Sequence, residues 1–242
     1  MSFYSEIADY YDLIFPPNKR HVGFIKACVE PPYLGKKILD VGSGTGGLAI
    51  SMAEAGFAVE GIDYDTDMLV RAKLKVKTGS PIIFTQMDMR EISSRFDQSA
   101  FDAVLSFGNT LVHLLNLGEI AKFCRNVRTV LRDDGVFLLQ ILNYDHILDN
   151  DVRELPLIEN DAIKFDRYNK YDTTTKLIAF KTVLTVKKTG VGIINEIPLY
   201  PVRKRELEDA LKTAGFTDIS CYGDFNRGEL KPDSLPLVVE AW

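Results

Sequence analysis

The stretch from Ile38 to Ile50 constrains the fold of this chain more than any other. Its first four residues, Ile-Leu-Asp-Val, predict a short buried strand, and the apolar residues at its end predict the start of a helix. Between them the glycine-rich sequence predicts a tight turn; its glycines are Gly42, Gly44, Gly46 and Gly47. A strand, a turn and a helix in this order direct backbone N–H groups and the positive end of a helix dipole toward a ligand. We therefore expect this stretch to bind a polar ligand, with the glycines allowing it close to the backbone.

The acids around the turn narrow the kind of ligand. The spacing of Gly42, Gly44 and Gly47 satisfies the dinucleotide pattern G-x-G-x-x-G, which is a weak signal alone. Asp40, at the end of the first strand, would repel a pyrophosphate but attract a cation. Asp63 ends a second predicted strand, where its carboxylate can accept hydrogen bonds from ribose hydroxyls. S-Adenosylmethionine has a ribose and a positive end and lacks phosphates, so it fits this pattern.

Two segments carry a family resemblance. The sequence D-V-G-S-G-T-G at 40–46, followed by G-I-D-Y-D-T-D-M-L at 61–69, resembles the first two motifs of class I S-adenosylmethionine-dependent methyltransferases. In that family an acid after the third strand receives the adenine amino group and the next backbone N–H meets a ring nitrogen, which here are Asp88 and Met89. Tyr64 and Met68 are expected to flank the adenine, although Met68 is equally well explained as core. The complete set of expected cofactor contacts is Tyr10, Arg20, Asp40, Gly42, Gly44, Asp63, Tyr64, Met68, Asp88, Met89 and Ser106.

Composition limits the partners. The net charge of −5 and a pI near 5.3 argue against nucleic acid, because phosphate binding needs a basic surface. Three distant cysteines fit a reducing compartment better than a disulfide framework or a zinc site, and we expect no metal. No apolar run reaches the length of a membrane span, and the N-terminus is unlike a signal peptide. We expect a cytoplasmic monomer or homodimer that acts on a small molecule.

The order of elements predicts the fold class. Strands and helices alternate up to residue 142, which predicts a Rossmann-like, doubly wound α/β sheet of seven strands closed by an antiparallel hairpin at the C-terminus. Ligands bind beyond the carboxyl ends of such strands. From residue 163 three strand-like runs follow without helices between them, which predicts a small inserted antiparallel sheet. We expect a cofactor-binding core at 1–150 and 201–242, and an inserted substrate cap at 155–200.

The N-terminal segment at 2–15 is predicted to be an amphipathic helix that stops at Pro16 and Pro17. It is too aromatic for a solvated tail. It is either a helix packed on the sheet or a lid over the cofactor, with Tyr10 and Tyr11 as the contacts. Arg20, near the start of the next helix, is either a partner for the cofactor carboxylate or part of a surface salt bridge.

A narrower resemblance appears in the second half. The segments G-N-T-L-V-H-L at 108–114, N-Y-D-H-I-L at 143–148 and G-D-F at 223–225 resemble elements of glycine N-methyltransferases, in the same order. This resemblance implies that Asn109 lines the substrate site, and we expect Asn109, Tyr144 and Tyr11 to be the catalytic residues. The implied chemistry is an in-line displacement, in which a neutral amine attacks the sulfonium methyl group. We expect a methyltransferase that acts on a nitrogen, or alternatively an oxygen, of a small-molecule acceptor.

One position departs from that family. Its members hold the glycine carboxylate with an arginine directly before the Asn-Tyr-Asp element, where this chain has Leu142. Leucine cannot replace a guanidinium. The departure predicts an acceptor that is neutral near this wall, unless Arg167 or Arg203 supplies the cation. A nicotinamide-dependent oxidoreductase and a non-catalytic protein that binds S-adenosylmethionine remain as alternatives from other classes.

Overall fold

The computed structural model describes residues 3–242; Met1 and Ser2, including the first residue of the predicted N-terminal helix, lie outside the described residues. The described chain forms two sheets with helices around the larger one. The strands are β1 (Lys37–Val41), β2 (Ala58–Asp63), β3 (Ile82–Gln86), β4 (Phe101–Ser106), β5 (Leu131–Leu142), β6 (Ile158–Glu159), β7 (Ile163–Asp172), β8 (Leu177–Val186), β9 (Val191–Leu199), β10 (Ile219–Tyr222) and β11 (Pro236–Ala241).

The helices are α1 (Phe3–Ile7), α2 (Tyr11–Ile14), α3 (Lys19–Cys28), α4 (Gly47–Glu54), α5 (Thr66–Lys75), α6 (Ile92–Arg95), α7 (Leu117–Val130), α8 (Tyr144–Asp149) and α9 (Lys204–Ala214). Short 3-10 turns cover Met89–Glu91 and Thr110–His113. Local sequence explains the helix ends. Asp65 caps α5 by accepting hydrogen bonds from the N–H groups of Asp67 and Met68, and Gly215 ends α9 with φ +101°.

The large sheet has the order β10-β11-β5-β4-β1-β2-β3. Strands β1 to β5 run parallel, whereas β11 is antiparallel to both β5 and β10. Chain order reverses between β1 and β4, so a crevice opens at their carboxyl ends. The predicted seven-stranded Rossmann-like sheet with a terminal hairpin is confirmed.

The second sheet is antiparallel, with the order β6-β7-β8-β9, and confirms the predicted inserted strands. Its inner face meets the N-terminal segment, since Ile7 and Ile14 pack with Ile163, Phe165 and Leu184 in one buried cluster. This cluster fixes α1 and α2 between the two sheets.

Two element boundaries differ from the sequence prediction. The segment predicted as one helix at 2–15 is two short helices, because a turn at residues 8–10 separates α1 from α2. The sequence Asp133-Asp134-Gly135 predicts a break before a strand at 136–142, whereas β5 begins at Leu131. Leu131 pairs with Phe101 of β4, and the Arg132 guanidinium binds the buried Asp102 at 2.7 Å. The strand therefore starts before residues 133–135, which lie at an irregularity in its pairing with β4. Among the residues described, no helix has the length and apolar character needed to cross a membrane.

Candidate active site

The carboxyl ends of β1 and β2 bring two acids together. Asp40 is 3% exposed. Burial, reinforced by the negative charge of Asp63, raises the pKa of Asp40 to about 7. Burial also raises the pKa of Asp63, although hydrogen bonds from backbone N–H groups oppose that effect. Two acids that resist ionisation for lack of a counter-charge create a site that favours a cationic ligand.

Backbone donors orient the Asp63 carboxylate. Its Oδ2 accepts a hydrogen bond from the N–H of Gly44 at 2.8 Å, and its Oδ1 accepts one from the N–H of Asp65 at 2.9 Å. An ionised carboxylate has about four acceptor sites, so these two hydrogen bonds leave acceptor capacity for a ligand. Asp63 therefore holds the glycine turn in place as well as facing the crevice, a role that its position in the sequence did not reveal.

The glycine turn is shaped by close approach of protein groups. A Cβ at Gly42 would lie 2.5 Å from the Thr110 side chain, and Gly42 has φ +74°. At Gly44, where φ is +54°, a Cβ would point at the Tyr11 ring and the Met68 methyl group at 3.4 Å. Positive φ angles and close protein neighbours therefore favour glycine at both positions, and the close approach of a ligand there stays a prediction.

Two adjoining cavities flank this turn. The larger, of about 940 Å³, reaches from Asp40 and Ser43 to Asn109, Leu142 and the inner face of the small sheet. The smaller, of about 700 Å³, is lined by residues of the second motif and the loop after β3. These include Asp63, Tyr64, Met68, Asp88 and Met89. The two cavities share the lining residues Phe3, Tyr4, Tyr11, Gly42, Gly108 and His113.

The N-terminal segment closes over the shared wall. Asp12 accepts a hydrogen bond from Thr45 Oγ1 at 2.5 Å and pairs with Lys75 of α5 at the same distance. Asp9 pairs with Arg71 on the same helix. Burial, together with the charges of Asp63 and other acids, raises the pKa of Tyr11 well above its ordinary value. Its hydroxyl therefore remains protonated and able to donate.

Asn109 joins the ends of β4 and β5. It has φ +70°, its Oδ1 accepts a hydrogen bond from the N–H of Leu142 at 3.0 Å, and its Nδ2 donates to the Tyr144 hydroxyl at 2.9 Å. Asn109 lines the larger cavity, as expected. Tyr144 is 1% exposed, packs in the main core and lines neither cavity. The structure therefore places Tyr144 beside Asn109 and away from both cavities, with its hydroxyl turned to the Asn109 amide.

Asp88 lines the smaller cavity but already has a cationic partner. Arg90 donates to its carboxylate from Nε at 2.9 Å and from Nη2 at 2.5 Å. These hydrogen bonds hold the pKa of Asp88 below its ordinary value. Arg90 also reaches Glu119 at 3.4 Å, so the adenine end of the predicted site contains an ion-pair network that sequence reasoning missed.

Some of the remaining predicted cofactor contacts line a cavity and others do not. Arg20 is exposed on the first turn of α3 and lines the larger cavity. Tyr64 is 72% exposed at the rim of the smaller one, whereas Met68 is buried in its wall. Tyr10 and Ser106 line neither cavity: Tyr10 packs with the N-terminal apolar cluster, and Ser106 is fully buried in β4 with no hydrogen-bond partner for its Oγ.

Tyr4, His113 and Arg167 are further residues of the crevice. Tyr4 and His113 are hydrogen-bonded at 2.8 Å, and burial lowers the pKa of His113 to about 4, so its ring is neutral near pH 7. Arg167 extends from β7 into the wall of the larger cavity. In the sequence, the many aromatic residues of the N-terminal segment pointed to Tyr4. The alternation of inward-facing and outward-facing residues along β7 pointed to Arg167.

Comparison with known proteins agrees with this geometry. Residues 38–135, which hold the glycine turn and both acids, match the family model described as a methyltransferase domain. Glycine/sarcosine N-methyltransferase from Aphanothece halophytica is 30% identical over 216 residues, covering 84% of this chain and 73% of the relative. A second glycine/sarcosine N-methyltransferase, from Parasynechococcus marenigrum, is 26% identical over 85% of this chain and 71% of its own length.

Solved structures share the whole fold. The CcbJ methyltransferase from Streptomyces caelestis superposes with a TM-score of 0.84 at 22% identity and covers 99% of this chain and 97% of its own. An S-adenosylmethionine-dependent methyltransferase from Clostridium acetobutylicum gives a TM-score of 0.81 at 17% identity, over 99% and 98%.

The chain belongs to the class I S-adenosylmethionine-dependent methyltransferases. It is an enzyme that uses S-adenosylmethionine, which decides against the oxidoreductase and non-catalytic alternatives. Within that class it is similar to glycine/sarcosine N-methyltransferases over most of its length.

Proposed function

We propose that this enzyme transfers the methyl group of S-adenosylmethionine to the nitrogen of a small-molecule amine. The observation that carries the proposal is the larger cavity, which runs from the acids of the glycine turn to the inserted sheet and has room for an acceptor beside the cofactor. The printed activity of the relatives that match the chain over most of its length supports nitrogen as the nucleophile.

The residues of the crevice fit the cofactor. Asp40 is buried and Asp63 half-buried, and among the described residues neither has a cationic side-chain partner; their raised pKa values match a ligand that brings positive charge. Asp63 would hold the ribose hydroxyls, with its carboxylate already fixed by two backbone N–H groups. Asp88 and Met89, at the smaller cavity, would bind the adenine, and Arg20 the carboxylate of the methionine moiety.

When bound, S-adenosylmethionine supplies a methyl group on a sulfonium, which an amine lone pair displaces. The protein positions the amine and the cofactor relative to each other and excludes water from them. Asn109 faces the cavity with its amide fixed from behind by Leu142 N–H and Tyr144 Oη. Tyr4 and Tyr11 exclude water at the junction of the two cavities. The neutral His113 ring, buried beside Tyr4, does not compete with the acceptor for a proton near pH 7.

Two measurements test the proposal. Isothermal titration should show S-adenosylhomocysteine binding to the protein, and labelled S-adenosylmethionine should transfer its methyl group to members of an amine panel but not to phenols or thiols. Analysis of the product by mass spectrometry should place the methyl on nitrogen. Transfer to oxygen acceptors only, with the cofactor bound normally, would refute the nitrogen assignment.

A further inference from the structure

Arg167 is a half-buried cation on the wall of the larger cavity. It lies on β7, where every second residue faces inward: Ile163 and Phe165 are almost fully buried, and Asn169 is 7% exposed. Arg167 shares their face of the strand. The lining of the same cavity includes the apolar residues Leu142, Leu155, Phe165, Phe180 and Leu199.

The guanidinium has few partners in this position. Its Nη2 donates to the carbonyl oxygen of Pro156 at 2.6 Å, which holds the side chain against the segment before β6. Its Nε is buried and has no hydrogen-bond partner. Within residues 3–242 no carboxylate forms an ion pair with it, and burial alone lowers the pKa of Arg167. Because a guanidinium stays charged at physiological pH, the positive charge of Arg167 lies at the cavity wall without a counter-ion from the described residues.

A charge that is partly withdrawn from water without a partner costs stability, and a ligand of opposite charge offsets that cost. The other cation considered from the sequence cannot fill this role. Arg203 pairs with Asp145 at 2.9 Å and with Asp149 at 2.8 Å, and it does not line the cavity. Arg20 does line it but is exposed on α3 and is assigned to the cofactor carboxylate.

We propose that Arg167 binds an anionic group of the methyl acceptor, so that the acceptor is an amine bearing a carboxylate or a phosphate. This inference rests on the proposed function and specifies its substrate class. The sequence raised two expectations at Leu142, namely a neutral acceptor or a cation supplied by another residue, and this inference selects the second. Leu142 itself is apolar, but Arg167 of β7 provides a cation in the wall of the same cavity. The acceptor would span from Arg167 to the methyl group, with its amine beside Asn109.

Matched acceptor pairs test the inference. The pairs are glycine with glycinamide, phenylalanine with phenylalaninamide, and phosphoethanolamine with ethanolamine, each measured by kcat/KM for labelled methyl transfer. We expect the wild-type protein to prefer the anionic member of at least one pair. Arg167→Gln should lower kcat/KM for that member about 10- to 100-fold, the range for loss of a charge-assisted hydrogen bond, and change the neutral member less than about threefold. Which pair responds distinguishes a carboxylate from a phosphate.

Two controls separate this inference from others. Arg153→Gln removes an exposed arginine that lies just before the inserted region and pairs with Asp151. This variant should leave the anionic-to-neutral ratio of kcat/KM unchanged for every acceptor pair. The ratio of ratios, variant against wild type, cancels the difference in basicity between an amino acid and its amide. Arg167→Lys should keep part of the preference, because an ammonium retains the charge but not the planar fork.

A binding measurement covers the case in which none of these amines is turned over. Protein saturated with S-adenosylhomocysteine is titrated with phenylacetate and phenylacetamide, and the acid should bind more tightly, a preference that Arg167→Gln abolishes. If the acid and the amide had equal kcat/KM values and equal affinities, the anion site would be refuted, while amine methylation would stand. Failure to bind S-adenosylhomocysteine would instead refute the proposed function.

Discussion

Replacing Asp40 with asparagine should stabilise the protein and weaken its binding of the cofactor. The Asp40 carboxyl has an ordinary pKa of 3.8 when exposed and a pKa of about 7 in the fold, since burial and Asp63 penalise its ionised form. The difference of about three pKa units corresponds to about 4 kcal/mol of unfolding free energy. Because the folded pKa is raised, this stability is fully present below pH 4, is lost as the pH rises from 4 to 7, and is absent above pH 7.

Asp40→Asn removes that titration. At pH 8 we expect the ligand-free variant to unfold at higher urea concentration than the wild type, with a gain of about 2–4 kcal/mol, and to lose this advantage near pH 4. Its affinity for S-adenosylhomocysteine should fall at pH 8, because the amide offers no charge to the cationic amino group of the ligand. Asp161→Asn, at an exposed position, is the control for generic loss of an acid.

The result that would refute the reasoning is specific. If Asp40→Asn were less stable than the wild type at pH 8 as well as at pH 5, the ionised carboxylate would be stabilised by the fold, and burial would not dominate its pKa. If stability rose but cofactor binding were unchanged, Asp40 would be a buried acid with no part in recognition.

Other substitutions test the remaining parts of the site. Asp63→Ala should weaken S-adenosylhomocysteine binding tenfold to a few thousandfold, since charge-assisted hydrogen bonds to ribose contribute about 1.5–3 kcal/mol each. Asp63→Asn should have a smaller effect. If calorimetry gave the wild-type affinity for Asp63→Ala, Asp63 would not be a cofactor contact. Gly44→Val should abolish binding while unfolding remains cooperative. Gly190→Val, at φ +70° with no atom within 4 Å of its Cβ, controls for backbone strain, and equal losses of binding in both variants would contradict a local effect. Tyr144→Phe should lower kcat while leaving the affinity for S-adenosylhomocysteine unchanged and reduce stability by about 1 kcal/mol, because Asn109 loses one partner; an unaltered kcat would mean that the hydrogen bond does not position the amide.

The fold could be predicted from sequence because each element carries its own local signal. The buried runs around Asp40 and Asp63, with glycines or capping acids after them, specify strand, turn and helix without reference to distant residues. The two errors of boundary arose where distant contacts decide. Strand β5 starts early because Arg132 reaches Asp102 across the sheet, and the N-terminal segment bends to bury Ile7 and Ile14 against the inserted sheet.

The candidate site was predicted less completely, for a physical reason. Residues fixed to strand ends, such as Asp40, Asp63 and Asn109, have positions set by topology alone, and all three line a cavity. Long side chains choose their partners in space. Neither the hydrogen bonds of Arg90 to Asp88 nor the turn of the Tyr144 hydroxyl toward Asn109 follows from spacing along the chain.

Arg167 lies between these two cases. In a strand, alternate residues share a face, so the buried positions 163, 165 and 169 place Arg167 on the inner side of β7 once the strand is recognised. A charge at an inward position of an apolar alternation conflicts with burial unless something neutralises it. Such a charge is ordinarily neutralised by a carboxylate of the same protein, but in the part of the chain that the structure describes no carboxylate pairs with Arg167. The conflict is then resolved by an anion from outside the chain, and the cavity that Arg167 lines is where such an anion would enter.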